Sequence, residues 1–201
     1  LNEILPGMFQ QIADYTELLF PDNLLREGSI IEQMISLVPE DDWKDAVEII
    51  GWLYQYYNAE PKDLLINAKK IYKDKDIPFV TQLFTSDWIV RFMVENSLGR
   101  LWLEGHPDDE LKSRWTYYLD ESNVVKFQTA EIQAKNKLLK PEEIKVMDCC
   151  MGSGHILVYA FDVLLQIYEA YGYNRKEAVK SIIENNLYGL DIDERATQLA
   201  Y

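Results

Sequence analysis

The chain carries the segment Ile144-Lys145-Val146-Met147-Asp148-Cys149-Cys150-Met151-Gly152-Ser153-Gly154. This segment is the strongest indication of the fold. The apolar start runs into an acid and a glycine turn, and a long helical pattern continues from Ile156. Glycine lets a backbone take positive φ and lets a ligand come close, and the helix that follows aims free N–H groups at the same spot. The segment therefore predicts a strand, a turn and a helix that hold a nucleotide-like molecule, although glycine pairs after strands also serve as structural turns.

A second segment, Leu187-Tyr188-Gly189-Leu190-Asp191-Ile192-Asp193, is typical of another buried strand that ends on an acid. A dinucleotide-binding fingerprint requires a third glycine and an acid about 20 residues further on. Here Leu157 occupies the glycine position and Asp191 lies 37 residues after Gly154, which disfavours NAD. The acid before the turn, Asp148, suits an ammonium group, and Asp191 suits the two hydroxyls of a ribose. S-adenosylmethionine has both features.

Three segments of the chain resemble motifs of the amino-group DNA methyltransferases. Asp148 to Gly154 resembles motif I, Gly189 to Asp193 is similar to motif II, and Gln82 to Val90 resembles motif X. The order X, I, II is that of adenine-specific enzymes of the restriction-modification type. Two flanking segments, Leu98 to Trp102 and His155 to Phe161, look most like the large adenine-specific methylases of bacteriophage-exclusion (BREX) systems. The resemblance covers nearly the whole chain.

Two positions depart from the family pattern. Cys149 and Ser86 stand where the family has proline, after the motif I acid and after the motif X threonine. Proline at such places mainly fixes φ. Neither exchange therefore removes a group that would contact the cofactor.

The resemblance implies a role for each of five residues in motifs I and II. Asp148 would lie beside the amino group of the methionine moiety, and Gly152 and Gly154 would let the backbone pass the cofactor. Asp191 would accept the ribose hydroxyls. Ile192 would pack on the adenine ring, with a simple core isoleucine as the alternative. No metal site is expected, because two histidines and two adjacent cysteines do not form a zinc pattern.

Motif X adds two residues to the implied site. Thr85 would face the methionine carboxylate, with Gln82 nearby. From the residues alone, Thr85 before Ser86 and Asp87 is also typical of a plain helix N-cap.

The residues that act on adenine are expected elsewhere. Methylation of the exocyclic amine requires a base taken out of the duplex and held by hydrogen bonds and stacking, which this family achieves with an Asp/Asn/Ser-Pro-Pro-aromatic sequence after motif II. No two of the seven prolines are adjacent, and the chain ends ten residues after Asp191. We therefore expect no catalytic residue here, and a fragment of a larger protein that is inactive by itself.

The chain is strongly acidic, with a formal net charge of −14. Its first 60 residues hold 12 acidic residues against Arg26 and Lys44. Duplex DNA is bound largely by Lys and Arg side chains that neutralise phosphates, so we expect DNA to be contacted through parts outside this chain. Other subunits of a defence system are further expected partners.

Cysteine content and hydropathy bear on the cellular compartment. The two cysteines, Cys149 and Cys150, are neighbours and cannot form a disulfide framework, so we expect reduced and buried side chains. The apolar run from Cys149 to Phe161 is too short for a membrane span, and no signal peptide is visible. We therefore expect a cytoplasmic protein that does not enter a membrane.

Apolar spacing divides the chain into two regions. Residues 1–76 repeat apolar side chains at three and four, for example from Ile4 to Leu19, which predicts an all-helical region. Residues 77–201 carry the three motifs and are expected to start a methyltransferase domain that is truncated before its catalytic motif. The predicted fold class is α/β: a truncated Rossmann-like S-adenosylmethionine-dependent methyltransferase with its first two parallel strands only, helix-dominated overall. Two such strands expose an edge, which favours self-association.

The elements predicted for the second region are four helices and two strands. They are a helix from Thr85 to Leu103, a strand at Lys145–Cys149, helices from Ser153 to Tyr171 and from Asn174 to Asn185, a strand that ends at Asp191, and a helix from Glu194.

The resemblance implies the cofactor-binding part of a site-specific DNA methyltransferase. Such an enzyme transfers a methyl group from S-adenosylmethionine to the N6 amine of adenine, in restriction-modification or phage defence. One alternative is a non-catalytic helical interaction module of a defence complex. Another is a methyltransferase that acts on RNA or protein, which the motif order disfavours.

Overall fold

The structure is a computed structural model that describes residues 26–43, 46–120 and 129–201. The helix predicted from Ile4 to Leu19 lies outside these residues. The chain divides into two compact units, Leu1–Phe84 with Gln198–Tyr201, and Thr85–Thr197.

Short helices build the described part of the first unit. They are α1 Ile30–Leu37, α2 Ala46–Tyr57, α3 Ala59–Asn67 and α4 Ile77–Thr81, with 3-10 turns at Glu40–Trp43 and Asp74–Asp76. Ser29 caps α1, because its hydroxyl accepts from a first-turn N–H at 3.1 Å. The Phe84 ring lies 5.2 Å from that of Trp52, and its N–H donates to Gln55 Oε1 at 2.7 Å. The border predicted after Asp76 stays a prediction.

Helices also dominate the second unit. They are α5 Asp87–Val94, α6 Arg100–Gly105, α7 Asp109–Ser113, α8 Thr129–Asn136, α9 His155–Tyr171, α10 Arg175–Ser181 and α11 Glu194–Ala200, which ends in the first unit. Two π-helical turns, Glu95–Gly99 and Ile182–Asn186, and a 3-10 turn, Pro141–Glu143, connect some of them. Ser86 occupies the N-cap position of α5. The plain-cap interpretation of Thr85 is therefore wrong, since the helix begins two residues later than predicted.

Two short strands form a parallel sheet: β1 Val146–Asp148 and β2 Leu187–Gly189. The register pairs Val146 with Leu187, Met147 with Tyr188, and Asp148 with Gly189. Parallel strands need a crossover connection, and α9 and α10 lie between them in the chain. The predicted helix-dominated architecture with one parallel pair is confirmed, and the Rossmann-like arrangement stays a prediction.

Helix α9 lies at the centre of the second unit's core and contacts α5, α10 and both strands. One polar cluster beside it aligns the two strands. The hydroxyl of Tyr168 donates to Oδ1 of the buried Asn186 at 2.8 Å. The Asn186 Nδ2 donates to the carbonyls of Pro141 at 2.7 Å and Ile144 at 2.8 Å. Because Asn186 directly precedes β2, these bonds hold the start of one strand beside the start of the other.

Candidate functional site

The two predicted acids lie near each other at the carboxyl end of the sheet. Beyond the strands, the N–H of Leu190 donates to the carbonyl of Asp148 at 2.9 Å, and the N–H of Met151 donates to the carbonyl of Leu190 at 3.0 Å. Strand β2 ends at Gly189, so Asp191 lies two residues beyond the strand rather than at its end. The extra bonds nevertheless bring its segment alongside the glycine turn, at the sheet edge where parallel α/β folds bind ligands.

The turn between β1 and α9 depends on two glycines. Gly152 has a φ of 55° and Gly154 a φ of 84°, a left-handed region that other residues enter at a cost of about 1–2 kcal/mol. The N–H of Gly154 donates to the carbonyl of Met151 at 2.9 Å and closes the turn before α9. Among the described residues, no atom lies within 4 Å of a Cβ added to Gly152. A ligand therefore has room beside this backbone.

Asp191 bonds to the turn from the second segment. Its Oδ2 accepts from the N–H of Gly152 at 2.8 Å, and its Oδ1 accepts from the N–H of Asp193 at 2.8 Å. A carboxylate offers about four lone-pair positions, so acceptor capacity remains for the hydroxyls of a ligand. The next residue, Ile192, is 65% exposed, so the core-isoleucine alternative is wrong.

The carboxylate of Asp148 is only half satisfied by the protein. Its Oδ1 accepts from the N–H of Cys150 at 3.0 Å, whereas its Oδ2 is buried without a hydrogen-bond partner in the described ranges. A buried acceptor left in this state costs about 1–3 kcal/mol. A cationic N–H group of a ligand would relieve that cost, because bonds between ionised partners are the stronger ones.

Thr85 is joined to the glycine turn by a histidine. Its carbonyl oxygen lies 3.0 Å from Nδ1 of His155, the first residue of α9. Four of the predicted residues thus meet at one turn, and a fifth is linked to it: Asp148, Gly152, Gly154, Asp191 and Thr85.

Gln82 belongs to the first unit. Its backbone carbonyl accepts from Lys62 Nζ at 2.8 Å. Its role near Thr85 stays a prediction.

The sequence reasoning missed a series of contacts between α5 and α9. Nε2 of His155 lies 3.7 Å from Oδ1 of Asp87, and Oδ2 of Asp87 accepts from Nε of Arg91 at 2.5 Å. The Arg91 guanidinium lies 4.9 Å from the centre of the Tyr159 ring. The Tyr159 hydroxyl donates to the buried Glu95 at 2.7 Å. The only available signal was spacing, since Asp87 and Arg91, like His155 and Tyr159, are four apart and share a helix face.

These contacts shift two titratable groups. Its hydrogen bond to Asp87 raises the pKa of Arg91. Burial, together with the hydrogen bond to Glu95, raises the pKa of Tyr159. The Tyr159 hydroxyl therefore remains a neutral donor at physiological pH.

The neighbouring cysteines are free and exposed, so their expected burial is wrong. Strand β1 stops at Asp148, which leaves Cys149 and Cys150 in the turn rather than in the sheet. A hydrogen bond with Cys149 raises the pKa of the Cys150 thiol, because the neutral Cys150 S–H is the form that donates. Both thiols are open to solvent beside the predicted cofactor turn.

The described residues contain no group of three or more His, Cys, Asp or Glu that could hold a metal ion. In those ranges, no helix combines the length and the apolar composition of a membrane span.

The whole chain aligns with two curated bacterial proteins. It is 46% identical over 205 residues to the adenine-specific methyltransferase BrxX of Escherichia coli O9:H4 (strain HS). It is 47% identical over 214 residues to the adenine-specific methyltransferase PglX of Lacticaseibacillus casei (strain Zhang). The chain is a relative of adenine-specific methyltransferases.

These methyltransferases are much longer than the chain, which spans 16% of BrxX and 17% of PglX. A third relative, from Methanocaldococcus jannaschii (strain ATCC 43067), carries a name that describes a type II restriction enzyme and methyltransferase. It is 27% identical over 172 residues, 76% of this chain and 13% of its own length. No protein-family model matches the chain. The resemblance inferred from motifs X, I and II is confirmed by these relatives.

Proposed function

We propose that this chain forms the cofactor-binding part of a site-specific DNA methyltransferase. The enzyme would transfer a methyl group from S-adenosylmethionine to the exocyclic N6 amine of adenine, in restriction-modification or phage defence. The proposal is supported by the adenine-specific relatives that align with the full chain. The observation that carries it is the buried Oδ2 of Asp148 beside the open glycine turn, which has no hydrogen-bond partner among the residues that the structure describes.

The residues at the turn fit the two ends of this cofactor. Asp148 Oδ2 would accept from the ammonium group of the methionine moiety. That group is positively charged and carries N–H donors, so its bond to a carboxylate is one of the stronger kind. Gly152 and Gly154 would let the backbone approach the ligand. Asp191 would accept from the ribose hydroxyls, and the exposed Ile192 would pack on the adenine ring.

Thr85 and Gln82 would complete the methionine end. Thr85 is linked to the glycine turn through His155, which supports its proposed place at the methionine carboxylate. Gln82, three residues earlier, would lie nearby.

S-adenosylmethionine supplies an electrophilic methyl group when bound. The residues named above would bind and orient it, and none of them is proposed as catalytic. No two prolines are adjacent in the 201 residues, so we propose that the groups that grip an extruded adenine lie outside this chain. For the same reason the 201 residues by themselves would not methylate DNA.

The partners follow from charge and from the relatives. With a net charge of −14, the chain would leave phosphate contacts to other parts of the enzyme. We further propose that other defence-system subunits are partners and that the protein is cytoplasmic. The two strands would be the first two of a Rossmann-like sheet. The isolated chain would associate with itself through this short sheet.

Isothermal titration with S-adenosylmethionine tests the proposal. We expect the parent chain to bind, and Asp148→Asn and Asp191→Asn to bind about tenfold or more weakly, because each loses a charge-assisted hydrogen bond worth about 1.5–3 kcal/mol. Glu110→Gln is the matched control and should bind like the parent. Glu110 is an exposed acid on α7 that pairs with Arg114. Absence of binding by the parent would contradict the proposal.

A non-catalytic interaction module is the second candidate. Helix α1 exposes large apolar side chains, with Ile30 at 68%, Ile35 at 66% and Leu37 at 78% exposure, as a helix that docks on another subunit would. A parent chain that binds no S-adenosylmethionine would favour this function. A methyltransferase acting on protein is disfavoured by the adenine-specific names of the relatives, and one acting on RNA or protein is disfavoured by the order of motifs X, I and II.

A further inference from the structure

We propose that His155 is a positioning residue that holds the Thr85 segment against the glycine turn. It would keep the two parts of the chain that face the methionine end of the cofactor at a fixed spacing. The inference rests on the proposed function, since it assigns Thr85 and Asp148 to the same end of one ligand. Neither the motifs nor the relatives assign this role to His155.

The first contact is a long-range hydrogen bond. Nδ1 of His155 lies 3.0 Å from the carbonyl oxygen of Thr85, although 70 residues separate them in the chain. A carbonyl can only accept, so Nδ1 carries the hydrogen. His155 as a whole residue is 8% exposed, and this burial shields the bond from water. Because His155 directly follows Gly154, the bond ties the Thr85 segment to the end of the turn itself.

The second contact fixes the direction of the ring. Nε2 of His155 lies 3.7 Å from Oδ1 of Asp87, the first residue of α5. The other oxygen of Asp87 accepts from Nε of Arg91 at 2.5 Å, and the Arg91 guanidinium lies over the ring of Tyr159 at 4.9 Å. Tyr159 is one helical turn after His155 on α9. The contacts therefore run from α9 to α5 and back to α9. They leave the imidazole ring of His155 little freedom to rotate away from Thr85.

This geometry predicts an effect on one end of the ligand. Thr85 is proposed at the methionine carboxylate, whereas Asp191 is proposed at the ribose. Loss of the His155 bond would release the Thr85 segment but leave the Asp191 bond to Gly152 in place. A residue that merely stabilised the fold would weaken the binding of both ends alike.

The test compares two ligands in matched variants of the full chain. S-adenosylmethionine carries the amino-acid group, and methylthioadenosine has the same purine, ribose and sulfur without it. His155→Leu removes the donor, while His155→Asn keeps an amide N–H near the position of Nδ1. We expect His155→Leu to weaken S-adenosylmethionine binding by about five- to tenfold, the effect of one net hydrogen bond, and methylthioadenosine binding by less than about twofold. His155→Asn should bind both ligands nearly as the parent does.

Two results would overturn the inference. One is equal weakening of both ligands by His155→Leu, and the other is the same loss in His155→Asn as in His155→Leu. If His155→Leu does not fold, His155→Gln replaces it, because its amide nitrogen lies near Nε2 and points to Asp87 rather than to Thr85. His155→Gln is then expected to show the selective loss that His155→Asn does not.

A ligand-free measurement separates this inference from the proposed function. Amide hydrogen exchange in residues 84–90 should speed up in His155→Leu relative to His155→Asn, with exchange in the middle of α9 unchanged. Unchanged exchange in residues 84–90 would overturn the positioning role. A parent chain that binds neither ligand would instead contradict the proposed function, while a parent that binds and a His155→Leu variant that binds equally well would overturn the positioning role alone.

Discussion

The two acids at the glycine turn differ in how many hydrogen bonds their carboxylates accept from the protein itself. Asp191 has a backbone N–H on each carboxylate oxygen, from Gly152 and Asp193. Asp148 has one, from Cys150, and its other oxygen is buried without a partner in the described part of the chain. Asp191 therefore has a structural role as well as a proposed binding role. Asp148 retains hydrogen-bond capacity that a cationic ligand would use.

Gly152 and Gly172 form a matched pair for separating backbone strain from ligand contact. Both have positive φ, 55° and 108°, and a Cβ at either would meet no atom of the described residues within 4 Å. Replacement by alanine should therefore destabilise the chain by about 1–2 kcal/mol at each position, through strain alone. Only Gly152→Ala should also weaken S-adenosylmethionine binding, because its methyl group enters the open space beside the turn. Urea unfolding and titration calorimetry measure the two effects, and equal binding by both variants would contradict a ligand at Gly152.

Helices α5 and α9 are held together by a polar contact at a π-helical turn. Glu95, the first residue of that turn, is 1% exposed. Its Oε1 accepts from the Tyr159 hydroxyl at 2.7 Å, and its Oε2 accepts from the N–H of Tyr117 at 2.6 Å. A buried carboxylate needs such donors. Glu95 therefore joins the end of α5 both to α9 and to the segment at Tyr117.

Tyr159→Phe should destabilise the chain because it removes one of these donors. The loss leaves Oε1 of Glu95 buried and unpaired, at a cost of about 1–3 kcal/mol. Tyr171→Phe is the control on the same helix, where the side chain is 45% exposed, and it should change stability by less than about 0.5 kcal/mol. Urea unfolding measures both variants. Equal stability of Tyr159→Phe and the parent would show that the contact contributes nothing.

The stability of the whole molecule should depend on pH in the alkaline range. Burial raises the pKa of Tyr118, Tyr159 and Tyr168 above the ordinary value of 10.0. The folded state therefore keeps these protons when the unfolded state has lost them. Their contribution is fully present below pH 10 and is lost as pH rises through the folded pKa values.

We accordingly expect the free energy of unfolding to fall as pH rises above about 10. Urea unfolding at several pH values between 8 and 11 measures the slope, and Tyr159→Phe should make it shallower. An unfolding free energy that stays level across this range would contradict the tyrosine assignment.

The sheet also predicts how isolated molecules behave together. Met147 and Tyr188 are paired neighbours on one face, 62% and 46% exposed, while Val146 and Leu187 pack against the core. Two parallel strands with an apolar outer face and free edges favour contact with a second copy. We expect concentration-dependent association in sedimentation velocity, and a weaker one for Met147→Glu, because a charge on that face resists burial. A parent chain that sediments as a clean monomer at high concentration would contradict this.

The sequence by itself determined which elements flank the glycine turn and their order. Apolar period, glycine placement and the strand-end acids are local signals, so β1, the turn, α9 and β2 could be predicted from them, as could the proximity of Asp148 and Asp191. Tertiary structure alone decided the exposure of Cys149 and Cys150, the bond between His155 and Thr85, and the burial of Asp148 Oδ2 without a partner from the described residues. The physical reason is range: burial and hydrogen-bond partners depend on residues brought close by packing, which no local pattern encodes.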